Sequence, residues 1–209
     1  MDNVSTLIAD LQSDDPTTRA AAAEALGRQR CVDAVDALIL LLADAEPTVR
    51  QAALNALRRI RDERASLHIL AMLNDEDTGI RRGASSWCMT LSGDQAHLVE
   101  TLVAMMLAEN SRMSTREFAA MLLGKYGDER AVEPLHQLIQ QYPRLRLRAA
   151  QSLQHMADPR SIPLMRELLA DEDLRVGRTA AKTLRIIGTP AALEALETGN
   201  SKASDEESS

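Results

Sequence analysis

A 14-residue segment recurs six times along this chain, and the six copies align without a gap. Its sixth position, here named the anchor position, is arginine in five copies and glycine in the last. The segment recurs about every 31 residues, a period that is too long for one helix and suits a helical hairpin, so it predicts helix pairs stacked in series. The anchors are Arg19, Arg50, Arg81, Arg116, Arg146 and Gly177, at spacings of 31, 31, 35, 30 and 31 residues.

The composition favours helices as the repeated element. Apolar residues make up 45% of the chain, but aromatic residues make up only 2%. The core must therefore be built from Leu, Ile, Val, Met and Ala, which suit helices packed on helices and suit sheets poorly. We expect an all-α protein of about six helix pairs, followed by a short closing helix from about residue 190.

Local signals place the ends of the helices. The second helix of each pair opens with an acidic or polar cap, and proline follows the cap in three copies. These copies are Asp15-Pro16, Glu46-Pro47 and Tyr142-Pro143. The last stretch, TGNSKASDEESS over 198–209, is polar and acidic with no apolar period. The sequence therefore predicts one repeat domain over 1–197 and a disordered acidic tail over 198–209.

Two stretches carry a resemblance to a known family. The connector GDERAVEPL, 127–135, and the pattern VRQAALNAL, 49–57, resemble the HEAT-like repeats first associated with phycobilisome lyases. The resemblance covers roughly residues 3–197 and implies a right-handed α-solenoid whose second helices line a concave face. Such repeats serve lyase subunits, chaperones, scaffolds and regulators alike, so the resemblance predicts the fold and leaves the function open.

The anchor arginines recur at one phase of the repeat, together with acidic or amide residues. Six residues before an anchor lie Asp44, Asp75, Asn110 and Asp171. This register predicts a ladder of ion pairs and caps between repeats, in preference to a ligand site. The sequence DED at 75–77 recurs at 171–173, which indicates loop and cap chemistry and not a metal site.

The single tryptophan of the chain, Trp87, falls on the face that we expect to be buried. Positions −1, +3, +6 and +7 from the anchor form one stripe of the second helix. In the third repeat, Trp87 and Cys88 replace the Ala-Leu pair of the first two repeats at +6 and +7. We predict that Trp87 is a repacked core residue, and the alternative is that it forms the edge of a binding platform.

The opposite face of the second helices is basic. Positions −3, −2, +1, +2, +5 and +9 hold nine cations and two acids, a net charge of +7, although the whole chain carries −7. A basic groove in an acidic protein concentrates anionic partners, and apolar residues beside arginines are typical of interface centres. The candidate binding residues are Arg82, Met113, Phe118, Met121, Arg144, Leu147, Arg148, Arg175, Arg178 and Lys182.

The motifs of common enzymes are missing from the sequence. No phosphate-binding Gly-rich loop, His-Glu-x-x-His or Gly-x-Ser-x-Gly occurs, and the four histidines lie at different phases of the repeat. We therefore expect no catalytic residues, no metal and no cofactor. A pI of 5.2 and the few aromatic residues disfavour nucleic-acid binding.

The sequence points to a cytoplasmic protein that binds another protein. Two cysteines without metal or disulfide spacing indicate a reducing compartment, and no stretch has the pattern of a signal peptide or membrane span. We predict a non-catalytic scaffold whose basic concave groove binds an acidic protein surface. The alternative is a bilin-lyase-like or tetrapyrrole-handling subunit, and the partner's identity and the oligomeric state stay open.

Overall fold

The computed structural model describes residues 3–91 and 96–206, which belong to two compact units, 1–93 and 94–209. The described part of the first unit consists of α1 (Asn3–Asp10), α2 (Pro16–Gln29), α3 (Val35–Leu40), α4 (Pro47–Ile60), α5 (Ser66–Ala71) and α6 (Thr78–Thr90). The described part of the second consists of α7 (Ala96–Leu107), α8 (Met113–Tyr126), α9 (Val132–Gln141), α10 (Arg146–Met156), α11 (Ile162–Leu168), α12 (Leu174–Ile187) and α13 (Pro190–Glu206).

Successive helices pack as pairs, from α1 with α2 to α11 with α12, and α13 closes the second unit. Short 3-10 turns flank several first helices, and no strand occurs in the described residues. The predicted all-α class, with six helix pairs and a closing helix, is confirmed in the residues that the structure describes. None of the described helices has the length and apolar character needed to cross a membrane.

Helix ends follow the capping signals of the sequence. The carboxylate of Asp15 accepts hydrogen bonds from the hydroxyl and backbone N–H groups of Thr17 and Thr18. These bonds, those from the hydroxyls most of all, lower the pKa of Asp15 to about 2. Pro16 and Pro47 begin α2 and α4, as predicted. Pro143 instead begins a 3-10 turn, Pro143–Leu145, that leads into α10.

The closing helix begins at Pro190, as expected, but extends past the predicted boundary at 197 to Glu206. Its first turns are held by the buried side chains of Ala192 and Ala195. Once a helix is nucleated in this way, each further residue adds a hydrogen bond at little cost, even in a polar stretch. Residues 207–209 of the predicted acidic tail lie outside the described residues.

The predicted buried stripe is confirmed at positions +3 and +7 of all six repeats and at −1 and +6 of the last five, whereas Thr18 and Ala25 of the first repeat are half-buried. In α4 these positions hold Val49, Ala53, Ala56 and Leu57, all of them buried. In α6 the residue at +6 is Trp87, whose side chain is 7% exposed, so its interpretation as a core residue is also confirmed.

Second helices of neighbouring repeats approach each other closely at a glycine that lies eight residues after the anchor. A Cβ atom on Gly27 would lie 2.6 Å from the Cα atom of Ala56, and one on Gly124 would lie 2.6 Å from the Cα atom of Ser152. Real Cβ atoms do not approach backbone this closely. Glycine at these two positions therefore sets the distance between α2 and α4, and between α8 and α10.

We predict that Gly124→Ala lowers the free energy of unfolding by about 1 to 3 kcal/mol, because the added methyl overpacks a backbone contact. The matched control is Gly79→Ala in the first turn of α6, where the nearest atoms are side-chain oxygens of Asp77 and Gln51, at 3.0 and 3.6 Å, and not the backbone of a neighbouring helix. Urea unfolding followed by circular dichroism measures both variants. Equal losses in the two variants would contradict the close-packing role of Gly124.

The anchor arginines form the predicted ladder between repeats. Arg19 donates to the Asp44 carboxylate over 2.8 and 2.9 Å, and Arg50 donates to the Asp75 carboxylate over 2.9 and 3.1 Å. Arg146 contacts Asp171 at 3.2 Å, and each of these aspartates lies 25 residues after its arginine. The ladder of ion pairs is therefore confirmed for these three anchors.

Each of these aspartates also accepts a hydrogen bond from the backbone N–H two residues later, which explains why it recurs just before a second helix. The Asp44 carboxylate accepts from the backbone N–H of Glu46, and Nη1 of Arg50 donates to the carbonyls of Asp44 and Ala45. The loop before α4 is therefore held by its own anchor, Arg50, and by the anchor of the preceding repeat, Arg19. This double attachment satisfies polar groups that burial would otherwise leave unpaired.

The fourth anchor, Arg116, is buried without a carboxylate partner in the described residues. Its guanidinium donates to the carbonyls of Met106, Ala108 and Glu109, and it lies 4.3 Å from the centre of the Tyr142 ring. Here a cation–π contact takes the place of the ion pair.

A second set of aspartate–arginine pairs, missed in the sequence analysis, holds the first helices. Asp62, Asp128 and Asp158 each cap a 3-10 turn and bind the arginine two residues later, at 2.7–3.0 Å. The arginine also reaches the preceding repeat, as Arg64 does at the Asp36 carboxylate, 2.9 Å away. The sequence motif DERA, which occurs at 62–65 and again at 128–131, could have indicated these pairs.

We predict that Asp44→Asn lowers the free energy of unfolding at pH 7 by about 1.5 to 3 kcal/mol, the contribution of a hydrogen bond to a charged group. The Arg19 guanidinium holds the pKa of Asp44 below 3.8, its ordinary value. The stability that this pair adds is therefore present above pH 3.8 and is lost as the pH falls through the lower folded-state pKa.

Urea unfolding between pH 7 and pH 3 measures this dependence, and the gap between wild type and Asp44→Asn should close toward the acidic end. Asp36→Asn is the control, since the Asp36 side chain is 77% exposed in its pair with Arg64. Its effect should be much smaller, because solvent screens exposed pairs. A control effect as large as that of Asp44→Asn would contradict the ladder.

Candidate binding groove

A groove of about 380 Å³ in the second unit brings together four of the ten candidate residues. Arg144, Leu147 and Arg148 come from the start of α10, and Arg175 comes from the start of α12. The remaining lining residues are Glu117, Pro143, Arg146, Gln151, Asp171, Glu172, Asp173 and Val176.

Local structure explains why these side chains lie at helix N-termini. Arg144 belongs to the 3-10 turn that Pro143 begins, and Leu147 and Arg148 lie in the first turn of α10. Arg175 follows Asp173, the residue that caps α12. Cations at a helix N-terminus oppose the helix dipole. These arginines therefore gain no stabilisation from the helix dipole at their positions.

The charge of the groove differs from the sequence expectation of a basic surface. Four arginines and four acids line it, because the loop acids Asp171, Glu172 and Asp173 fold against the same space. Arg148 contacts Glu117 at 3.3 Å and Gln151 at 3.1 Å. Most of the positive charge in the groove is therefore neutralised by neighbouring carboxylates.

Arg175 illustrates this neutralisation. Its guanidinium donates to the Asp173 carboxylate at 2.7 Å and holds the pKa of that carboxyl below its ordinary value. Arg146 is similarly occupied by Asp171, at 3.2 Å.

Arg144 is the exception in the groove. Its side chain is exposed and forms no hydrogen bond or ion pair with another described residue. The half-buried Leu147 lines the same groove and supplies apolar surface. The groove therefore offers an unpaired guanidinium beside an apolar side chain.

The other candidate residues do not line this groove. In the second unit, Arg178 and Lys182 are exposed one turn apart on α12, without an ion pair in the described residues. On α8, Met113 is 41% exposed, whereas Phe118 and Met121 are half-buried. Arg82 lies on α6 of the first unit and is exposed.

A serine, a histidine and a glutamate in the second unit have the order of a catalytic triad. Nε2 of His136 lies 3.0 Å from the Ser161 hydroxyl, and Nδ1 lies 3.5 Å from the Glu133 carboxylate. Ser161 is fully buried, so no substrate can reach its oxygen. The contact instead joins α9 to the turn before α11. No cluster that could hold a metal occurs among the described residues.

We predict that His136 makes the protein less stable as the pH falls from 7 to 5. Burial lowers the pKa of His136 below 6.5, although Glu133 and Asp158 oppose the shift and Arg160 adds to it. The unfolded chain therefore binds the proton more readily, and stability is lost as the pH falls through 6.5 toward the folded-state pKa.

The variant His136→Gln has no titrating imidazole at this position, so its free energy of unfolding should change less between pH 7 and pH 5 than that of the wild type. Urea unfolding at the two pH values measures this difference. His155→Gln, at an exposed position on α10, is the control and should behave as the wild type. A wild-type protein that gains stability on acidification would show that the interpretation is wrong.

Comparison with known proteins agrees with the geometry of the repeats. The family model for HEAT repeats matches residues 4–90, 70–154 and 133–207. Two engineered proteins of known structure are 20% and 21% identical to the chain, with TM-scores of 0.51 and 0.55. In both cases 95% of this chain is covered, against 98% and 62% of theirs.

The complex of CpcE and CpcF of phycocyanin lyase from Nostoc sp. PCC7120 is 27% identical, with a TM-score of 0.46, over 93% of this chain and 80% of that chain. No curated protein sequence matches the chain.

Proposed function

The chain belongs to the HEAT repeat family, and we propose that it is a non-catalytic scaffold whose groove on α10 and α12 binds an acidic surface of a partner protein. The observation that carries the proposal is Arg144, an exposed arginine without a described partner in a groove where the other arginines have one. A guanidinium binds a carboxylate through two parallel hydrogen bonds, so a glutamate or aspartate of a partner suits this position.

The surroundings of Arg144 support a protein interface. Leu147 adds apolar area within the groove, and Arg178 and Lys182 add unpaired positive charge on the adjoining helix α12. Arginine beside apolar side chains is enriched where binding energy concentrates. The acids of the groove repel carboxylates placed elsewhere in it. They therefore favour a partner that presents a carboxylate to Arg144 and uncharged polar groups to the other lining residues, which contributes specificity.

We further propose that the protein acts in the cytoplasm. Cys31 and Cys88 are not joined in a disulfide, which suits a reducing compartment. The alternative of a tetrapyrrole-handling subunit stays a prediction, and a visible absorbance band in the purified protein would support it.

Charge reversal at Arg144→Glu with Arg178→Glu tests the proposed groove. Both residues are exposed and unpaired in the described residues, so the fold and the melting temperature should change little. Binding to a partner captured by the wild type and then purified should weaken at least about tenfold, as charges near an interface centre require. Wild-type affinity should also fall with added salt.

The matched control is Arg166→Glu with Arg185→Glu, which makes the same change of net charge at two other exposed arginines of the second unit. The control should bind as the wild type does. Normal binding by the Arg144 and Arg178 variant, or equal weakening in the control, would contradict the groove. Arg148 is avoided because its reversal would also repel Glu117.

A further inference from the structure

The first unit contains a cavity of about 320 Å³ between the C-terminal ends of α4 and α6. Three of its lining residues are arginines, and no acid is among the described residues that line it. In this respect it differs from the groove of the second unit, where acids balance the arginines. The lining residues are Asn55, Arg58, Arg59, Arg61, Trp87 and Thr90.

The arginines of this cavity are poorly neutralised. Arg59 and Arg61 are exposed and form no hydrogen bond or ion pair with another described residue. Within the described part of the chain, the one polar contact of the Arg58 side chain is with the Ser86 hydroxyl, at 3.5 Å. Like charges that share one cavity repel each other, and a bound anion removes that repulsion. The helix dipole accounts for basic residues at the end of α4, but it does not require them to line a common cavity.

Arg61 also occupies a backbone position that disfavours a side chain. It ends α4 in the left-handed conformation with φ of 62°, the region in which Gly127 and Gly188 end α8 and α12. Arg30 ends α2 in the same way, but it lines no part of this cavity. Ala157 ends α10 in the same conformation, so this backbone position does not by itself point to a ligand, but it lets glycine replace Arg61 without backbone strain.

The other lining groups add a donor and a rigid wall. The Asn55 oxygen accepts from the Gln51 amide at 3.2 Å, which leaves the Asn55 NH₂ group available as a donor. Trp87 is 7% exposed, so its packing fixes the ring against which a ligand would lie. The Thr90 hydroxyl donates to the Trp87 carbonyl at 2.7 Å and holds the end of α6.

We propose that this cavity binds the phosphate group of a phosphate monoester. Such a group carries a charge of about −1.5 to −2 at pH 7 and three terminal oxygens, enough to accept from more than one guanidinium. A carboxylate carries one charge and two oxygens, which one arginine already satisfies. The site is independent of the groove proposed in the second unit, since it shares no residue with that groove.

The single tryptophan provides a direct readout, because Trp87 is a lining residue. Inorganic phosphate, O-phospho-L-serine and a phosphoserine hexapeptide are titrated at constant ionic strength, with succinate as the carboxylate probe. We expect a saturable change in Trp87 fluorescence and a rise in Tm with the phosphate probes. A hexapeptide that binds about tenfold more tightly than phosphoserine identifies a modified protein segment as the source, and equal affinities identify small phosphate esters.

The variant Arg61→Gly removes one guanidinium and suits the left-handed conformation, so it should be at least as stable as the wild type. We expect it to bind inorganic phosphate at least tenfold more weakly, and Arg59→Gln to do the same. Arg30→Gly is the matched control, because it makes the same substitution and the same charge change at the equivalent cap of α2. It should bind phosphate as the wild type does.

Three results would overturn the proposal. The first is the lack of a saturable response to any phosphate probe. The second is weakening in Arg30→Gly equal to that in Arg61→Gly, which would show that only net charge matters. The third is a response to succinate as strong as that to phosphate, which would assign the cavity to carboxylates such as those of an acidic peptide.

Discussion

The bond between an anchor arginine and the aspartate of the next repeat is the interaction on which the stacking of helix pairs depends. Arg19 and Arg50 each bind the loop before their own helix and the aspartate 25 residues later. One guanidinium thereby satisfies carbonyls and a carboxylate that stacking removes from water. Because Asp44 also receives a backbone N–H of its loop, the helix starts and the repeat spacing are fixed by the same few atoms.

Departures from this ladder occur where the aspartate is missing from the position 25 residues after the anchor. Where the aspartate position holds Gln141, the buried Arg116 is covered by Tyr142 and by backbone carbonyls. At the last anchor, Gly177 replaces arginine, and a Cβ atom there would lie 3.0 Å from the Leu169 carbonyl oxygen. The position 25 residues later holds Lys202, so an arginine at 177 would not find there the aspartate that the ladder provides.

The ladders also determine which cations are left for ligands. The arginines at the anchors, and those two residues after a capping aspartate, form bonds within the fold, as Arg50 does with Asp75 and Arg64 with Asp62. What remains unpaired among the described residues includes Arg144 in the groove of the second unit and Arg61 in the cavity of the first. The first has acidic neighbours, in keeping with the proposed selective protein contact, whereas the second has no acid among its described lining residues, in keeping with the proposed multiply charged anion.

The sequence by itself determined the repeat, the helix pairs, the burial of Trp87 and the pairing of anchors with aspartates. These properties depend on phase along a helix and on capping, both of which a short local pattern encodes. The tertiary structure alone decided the close approach at Gly124 and the neutralisation of Arg175 by Asp173 within the groove. It also decided that Arg61 and Trp87 line one cavity, because residues on different helices meet only at the distance that stacking sets.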